Sequence, residues 1–211
     1  ETPSYRLWAV RMVRLAVKPS LREASCCSVE VMTGGDPFNE RFGWWQSMLN
    51  AGYRMTATAA SDTHGGNDIG YPRSYFLSST DLPAELNIND LTAAYHNQDV
   101  LLSQGAFARV SAGEVADGQV PLTVHIEAIP QADVSHFVVF VNCDTVLRVA
   151  ATDPEGLVKY SDTVQVPVDG DSTITVAAFG YNDLPAGLPQ YDATRVPRVM
   201  TNAHFIDADG D

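Results

Sequence analysis

A chain of 211 residues, 45% of them hydrophobic, is long enough for one large or two small globular domains with a buried core. Thirteen basic against 26 acidic residues leave a net charge of -13, which repels phosphate backbones and argues against a nucleic-acid partner. No apolar run approaches the length of a membrane span and the start lacks a secretion-signal pattern, so no membrane partner is expected.

In chain order, the first segment stands apart. Residues 1–27 carry Arg6, Arg11, Arg14, Lys18 and Arg22 against only Glu1 and Glu23, a reversal of the overall charge that marks an atypical N-terminal segment. Cys26 and Cys27 are adjacent and Cys143 is distant, so the three thiols cannot all pair and no zinc-ribbon spacing is present.

Ser28 to Met32 is a short β-branched and apolar run that predicts a strand, followed by a Gly34-Gly35-Asp36-Pro37 turn in which Asp36 caps a helix. Phe38, Phe42, Trp45 and Leu49 recur at helical spacing, and Gly52 stands where a left-handed terminus belongs. Trp44 and Trp45 are expected to pack in a core or groove. Met55 to Ala60 reads as the next strand and delivers Ser61-Asp62-Thr63-His64 at its carboxyl end. A Gly, Pro and Ser-rich loop carrying Tyr71-Pro72-Arg73 follows, then a helix from about Asp90 to Asn97 with Asn89 as its cap. Strand, helix, strand, helix implies a partly parallel sheet, with functional groups gathered at the carboxyl ends of its strands.

Beyond Gly113 the helical period disappears. Leu122 to Ile129, His136 to Asn142, Thr145 to Ala151, Tyr160 to Val168 and Thr173 to Phe179 read as strands broken by turn residues, with one more over Val196 to Ile206. The expected organisation is an α/β unit over 28–114 and an all-β, immunoglobulin-like sandwich over 115–211.

Asp62 and His64 lie two apart in an extended segment, so a carboxylate and an imidazole point to the same side and can converge on one cation. Glu30 on the preceding strand is a candidate to orient a ligand. Arg73 offers a planar fork to an anionic oxygen. His125 and Glu127 are also two apart on a strand, where a surface position is expected. Asp207 to Asp211 imitates the opening of a calcium loop without its distal ligands. Serine-hydrolase, Walker and dinucleotide signatures are absent from the sequence.

Val29-Glu30-Val31, the stretch Trp44 to Gly52, Ser61-Asp62-Thr63-His64, Gly70-Tyr71-Pro72-Arg73-Ser74-Tyr75 and Leu102-Ser103-Gln104-Gly105 together resemble the later part of PHP-type metallohydrolases of the CehA/McbA group. Thr201-Asn202 and Phe205 to Gly210 resemble the closing segment of that group's appended β-domain. The resemblance implies a partial PHP-like barrel segment before the β-domain, and a divalent zinc, manganese or iron ion with Asp62 and His64 among its ligands. It also implies metal-activated water attacking an ester or phosphoester of a small-molecule substrate; Arg73 and Glu30, read from their own residue chemistry, are the candidate supporting catalytic residues. The group's early His-x-His pair has no counterpart, which leaves a non-catalytic binding or structural module as the alternative. An incomplete barrel would expose strand edges, so a homo-oligomer or a complementary chain is expected.

Overall fold

In the computed structural model of the chain, residues 28–33, 38–62, 70–80, 82–182 and 196–208 are described. The atypical segment 1–27 with Cys26 and Cys27, the Gly34 to Pro37 turn, His64 and Asp209 to Asp211 lie outside them. The elements in chain order are β1 (Ser28–Thr33), α1 (Phe38–Asn50), β2 (Thr56–Ala60), β3 (Arg73–Phe76), α2 (Ile88–His96), β4 (Val100–Gln104), β5 (Ala106–Ala112), β6 (Gln119–Ala128), β7 (His136–Val141), β8 (Asp144–Ala150), β9 (Val158–Pro167), β10 (Ser172–Phe179), β11 (Arg198–Thr201) and β12 (His204–Ile206).

These strands form three sheets. A seven-stranded antiparallel sheet runs β3-β4-β11-β10-β7-β8, with β12 continuing along β10 beyond β11. A three-stranded antiparallel sheet runs β5-β6-β9, and β1 pairs with β2 in parallel. The large sheet is central because both of its faces are apolar. On β7, Phe137, Val139 and Val141 join the core shared with β5, β6 and β9, whereas Val138 and Phe140 join the core beneath α1, β1 and β2. β10 divides in the same way, with Ile174, Val176 and Ala178 on one side and Ala177 on the other. A strand buried on both faces must read as an unbroken apolar run, which is why His136 to Val141 shows no alternation.

The result is a mainly β layered sandwich, and it corrects the expected α/β barrel segment over residues 28–114. Among the described residues only two α-helices occur, and the single parallel strand pair is β1 with β2. The stretch read as a loop around Arg73 is strand β3, which pairs antiparallel with β4. β4 in turn pairs with β11, from the far end of the chain. Neither pairing is visible in local periodicity. At Gly105 (φ 84°) the chain turns from the central sheet into the three-stranded one, so β4 and β5 are successive in sequence but lie in different layers.

Beyond residue 113 the expected strands are present with ends shifted by a few residues. The single strand read over Val196 to Ile206 is two, β11 and β12, separated at Asn202 and Ala203. Asp117-Gly118 and Asn142-Cys143 have positive φ at both residues, the turn that matches the twist of a hairpin.

Candidate functional site at the carboxyl ends of β1 and β2

β1, α1 and β2 form one β–α–β unit. Phe42, Trp45 and Leu49 are buried along one side of α1, and Phe42 meets Phe140 of the central sheet edge-on at 4.9 Å. Trp45 is fully buried and its Nε1 donates to Met55 O at 2.7 Å, tying the helix to the entry of β2. Trp44, by contrast, faces solvent. The helix ends as its glycine predicts: Gly52 has φ 88°, Tyr53 N donates to Met48 O and Gly52 N to Leu49 O, a left-handed cap that satisfies the last carbonyls.

β2 is clamped to the central sheet by a side chain from β11's end. Asn202 Oδ1 accepts from Ala57 N at 2.7 Å, and its Nδ2 donates to Ala57 O at 3.0 Å and to Val100 O at 2.7 Å. The buried amide thus acts as a stand-in strand between β2 and β4, where backbone groups would otherwise be stranded without water. On the same strand, Ser74 Oγ accepts from Ala59 N at 2.8 Å and donates to Ala59 O at 2.9 Å, which fastens the start of β3 beside the exit of β2.

The exit itself carries the predicted ligand. Asp62 is exposed two residues past β2 and has φ 48°, a left-handed conformation that non-glycine residues adopt sparingly. Ser61 Oγ accepts from Gly70 N at 3.2 Å, closing the intervening loop back onto the strand. At the parallel exit of β1, Thr33 pairs with Ala60, and its buried hydroxyl has no hydrogen-bond partner among the described residues. His64 lies outside the described residues.

The other two candidates stand nearby in different environments. Arg73 opens β3, is exposed, and holds its guanidinium 5.7 Å from the centroid of Tyr75. Glu30 sits in the middle of β1 rather than at its exit, where Arg41 of α1 approaches its carboxylate at 3.6 Å and donates to its carbonyl at 3.2 Å. The second helix is capped by Asn87, whose side chain accepts from Asn89 N, rather than by Asn89 itself. Cys143 is the one cysteine among the described residues; burial, with Asp144 adding to it, pushes its thiol up to about 12, so it is an unreactive group.

Asn202 and Ser74 were not legible as positioning residues. Their partners are up to 145 residues away in sequence, and an amide or hydroxyl near a strand end carries no local signal of such a role. Comparison of the chain with protein-family models, curated proteins and solved structures gives no match.

Proposed function

We propose that the carboxyl ends of β1 and β2 form part of a metal-dependent hydrolase site for ester or phosphoester bonds, with Asp62 and His64 as ligands. The observation that supports this most directly is the position of Asp62: an exposed carboxylate in a left-handed conformation, immediately beyond the carboxyl end of a strand in a parallel β–α–β unit. Such ends are where α/β units present functional groups.

Carboxylate and imidazole are donors that zinc, manganese and iron accept, so the Asp-x-His pair suits the ion in kind. It falls short in number, since a catalytic zinc commonly takes three protein ligands. No group of three or more His, Cys, Asp or Glu converges among the described residues, so a third donor must come from outside them or from a second chain. When bound, a divalent ion lowers the pKa of its water and polarises the electrophilic oxygen. Arg73 fits the role of pairing with an anionic substrate oxygen, because it is exposed and is held beside the exit of β2 through Ser74. Glu30 contributes by fixing Arg41 and so the seating of α1 on β1.

Elemental analysis of the purified chain, before and after Asp62→Ala combined with His64→Ala, tests the assignment, with hydrolysis of an aryl phosphate and an aryl ester followed in parallel. Loss of bound metal and of chelator-sensitive hydrolysis is expected; unchanged metal content in the double variant removes the site.

A non-catalytic structural or binding module is the second possibility, and the Asn202 clamp favours it. β1, α1 and β2 cover one apolar face of the central sheet, a sufficient reason for the unit to exist without chemistry at its exit. A chain that holds no metal, shows no hydrolysis and keeps its melting temperature in chelator would identify that role.

A further inference from the structure

We propose that the outer face of the three-stranded sheet carries a second, metal-independent acyl-transfer site, with Ser161 as nucleophile, His125 as its base and Glu127 as the positioning residue. Register brings these groups together. His125 on β6 and Ser161 on β9 are direct cross-strand partners, and Glu127 lies two residues along β6 on the same face. His125 Nδ1 is 3.1 Å from Ser161 Oγ, and His125 Nε2 is 2.9 Å from Glu127 Oε1.

The two contacts define one proton arrangement. An ionised carboxylate only accepts, so Glu127 holds the proton on Nε2 and leaves the Nδ1 lone pair facing Ser161. The serine hydroxyl then donates to Nδ1. A nucleophile hydrogen-bonded to a base that a third group orients is the arrangement that activates a hydroxyl.

The surroundings supply groups for a substrate. Arg109 on β5 is the cross-strand partner of His125 on its other side, so Arg109, His125 and Ser161 form one row across the sheet. Arg109 is exposed and stands 5.4 Å from the centroid of Phe107, which meets Tyr75 edge-on at 5.6 Å. A cation in the same row suits a developing oxyanion, and the aromatic pair suits the aryl part of an ester. The substrate class is therefore an activated aryl ester of a small carboxylic acid.

In the first step Ser161 Oγ bonds to the acyl carbon while its proton passes to His125 Nδ1. The bond from acyl carbon to aryl oxygen breaks, and the leaving aryloxide takes the proton from the imidazolium. In the second step water gives a proton to Nδ1 and bonds to the acyl carbon, the ester bond to Oγ breaks, and Oγ recovers the proton as the acid departs. No oxidant, reductant or metal enters.

The neighbouring rung is an internal control. Thr123 and Thr163 face each other with hydroxyls 3.0 Å apart on the same surface, without an imidazole. The experiment uses the full chain in excess chelator with p-nitrophenyl acetate, which separates this site from the metal-dependent one. Rapid release of about one nitrophenolate per chain is expected, with one acetyl group mapped to Ser161 by peptide mass analysis. Ser161→Ala and His125→Ala should each lower the acylation rate by at least about tenfold, while Thr163→Ala leaves it unchanged. Glu127→Gln should slow acylation and move the pH midpoint of its rate, which a merely structural carboxylate would not do. Absence of acetylation, acetyl groups only on lysine or the amino terminus, or an unaltered rate in Ser161→Ala would overturn the proposal. All four side chains lie on the outer face of the sheet, so circular dichroism of each variant should match the parent.

Discussion

The layer of β1, α1 and β2 and the layer of β5, β6 and β9 cover opposite faces of one seven-stranded sheet, yet their cohesion comes from different sources. The first is assembled from neighbours in sequence: a helix whose Phe42, Trp45 and Leu49 face inward, a glycine cap and a parallel strand pair. Its attachment to the sheet then comes from long-range contacts, the Asn202 amide and the Ser74 hydroxyl in addition to the apolar core it shares with β4, β7, β10 and β11. The second is assembled by register alone, with nine paired positions between β6 and β9 that put Val120, Leu122, Val124 and Ile126 inward and Thr123, His125 and Glu127 outward. A unit readable from local periodicity is therefore pinned by contacts that are not, while alternation that is readable builds a sheet whose partners are not.

The sharpest way to break this contrast is to cavitate each core in turn. Trp45→Ala removes a fully buried ring and its bond to Met55 O, and Phe137→Ala removes a fully buried ring that meets Tyr160 edge-on at 4.7 Å across the other core. Each should cost about 3–5 kcal/mol. Because β7 contributes to both cores, urea unfolding of both variants should remain a single transition with a lowered midpoint. Two separate transitions in Trp45→Ala would show that the helical layer unfolds independently.

Asn202→Ala comes next. It deprives Ala57 N, Ala57 O and Val100 O of their partner in a buried setting, and should cost about 2–4 kcal/mol by the same denaturant measurement. Amide exchange at Ala57 should rise more than exchange at Val124 in β6. Equal changes at the two would mean that the clamp serves the whole molecule rather than one layer.

The same contrast explains what the sequence revealed. Helical spacing from Phe42 to Leu49, Gly52 as a cap, the strand ending at Ala60 and the strands after Gly113 follow from local period and turn chemistry, and the structure contains them. The α/β unit failed because its evidence was an order of elements, to which a resemblance of short motifs added the barrel. Order does not say that β4 will pair with β11, nor that β3, under a Gly and Pro-rich signal, will be a strand at all. For the candidate site, Asp62 at the exit of β2 was legible from the strand before it, whereas Ser74 and Asn202, which fix that exit, act across distances that no local pattern encodes. His125 and Glu127 were visible as a pair, and Ser161 became their partner only through register.

A smaller effect tests the rim of the central sheet. His136 on β7 stacks on Tyr181 with ring centroids 5.4 Å apart, accepts or donates at Ser135 Oγ, and has its pKa lowered from 6.5 to about 4, chiefly by burial and then by the Arg148 charge, with Asp133 opposing. A depressed imidazole pKa means the unfolded chain binds the extra proton first. Its contribution is intact above about pH 6.5 and is lost as pH falls towards about 4. With the ring half-buried and screened by water, the loss should be on the order of 1 kcal/mol. Comparing urea midpoints at pH 7 and pH 5 for the parent and for His136→Gln isolates it; an equal pH dependence in both would assign the effect to other groups.

The smallest expected change in stability carries the most information about function. Asp62 has φ 48°, where glycine is at ease and an aspartate is mildly strained. In Asp62→Gly, relief of that strain is opposed by the greater freedom that glycine gives the unfolded chain and by the loss of the carboxylate's own interactions, so stability should fall by only about 0.5 kcal/mol. If the residue is there for the fold, nothing else should change. If it is there as a ligand, metal content measured by elemental analysis should fall while the urea midpoint moves by no more than that small loss. A fall in both, the midpoint by more than that, would instead tie Asp62 to the loop that Gly70 and Ser61 close, and would move the helical layer's exit from chemistry to architecture.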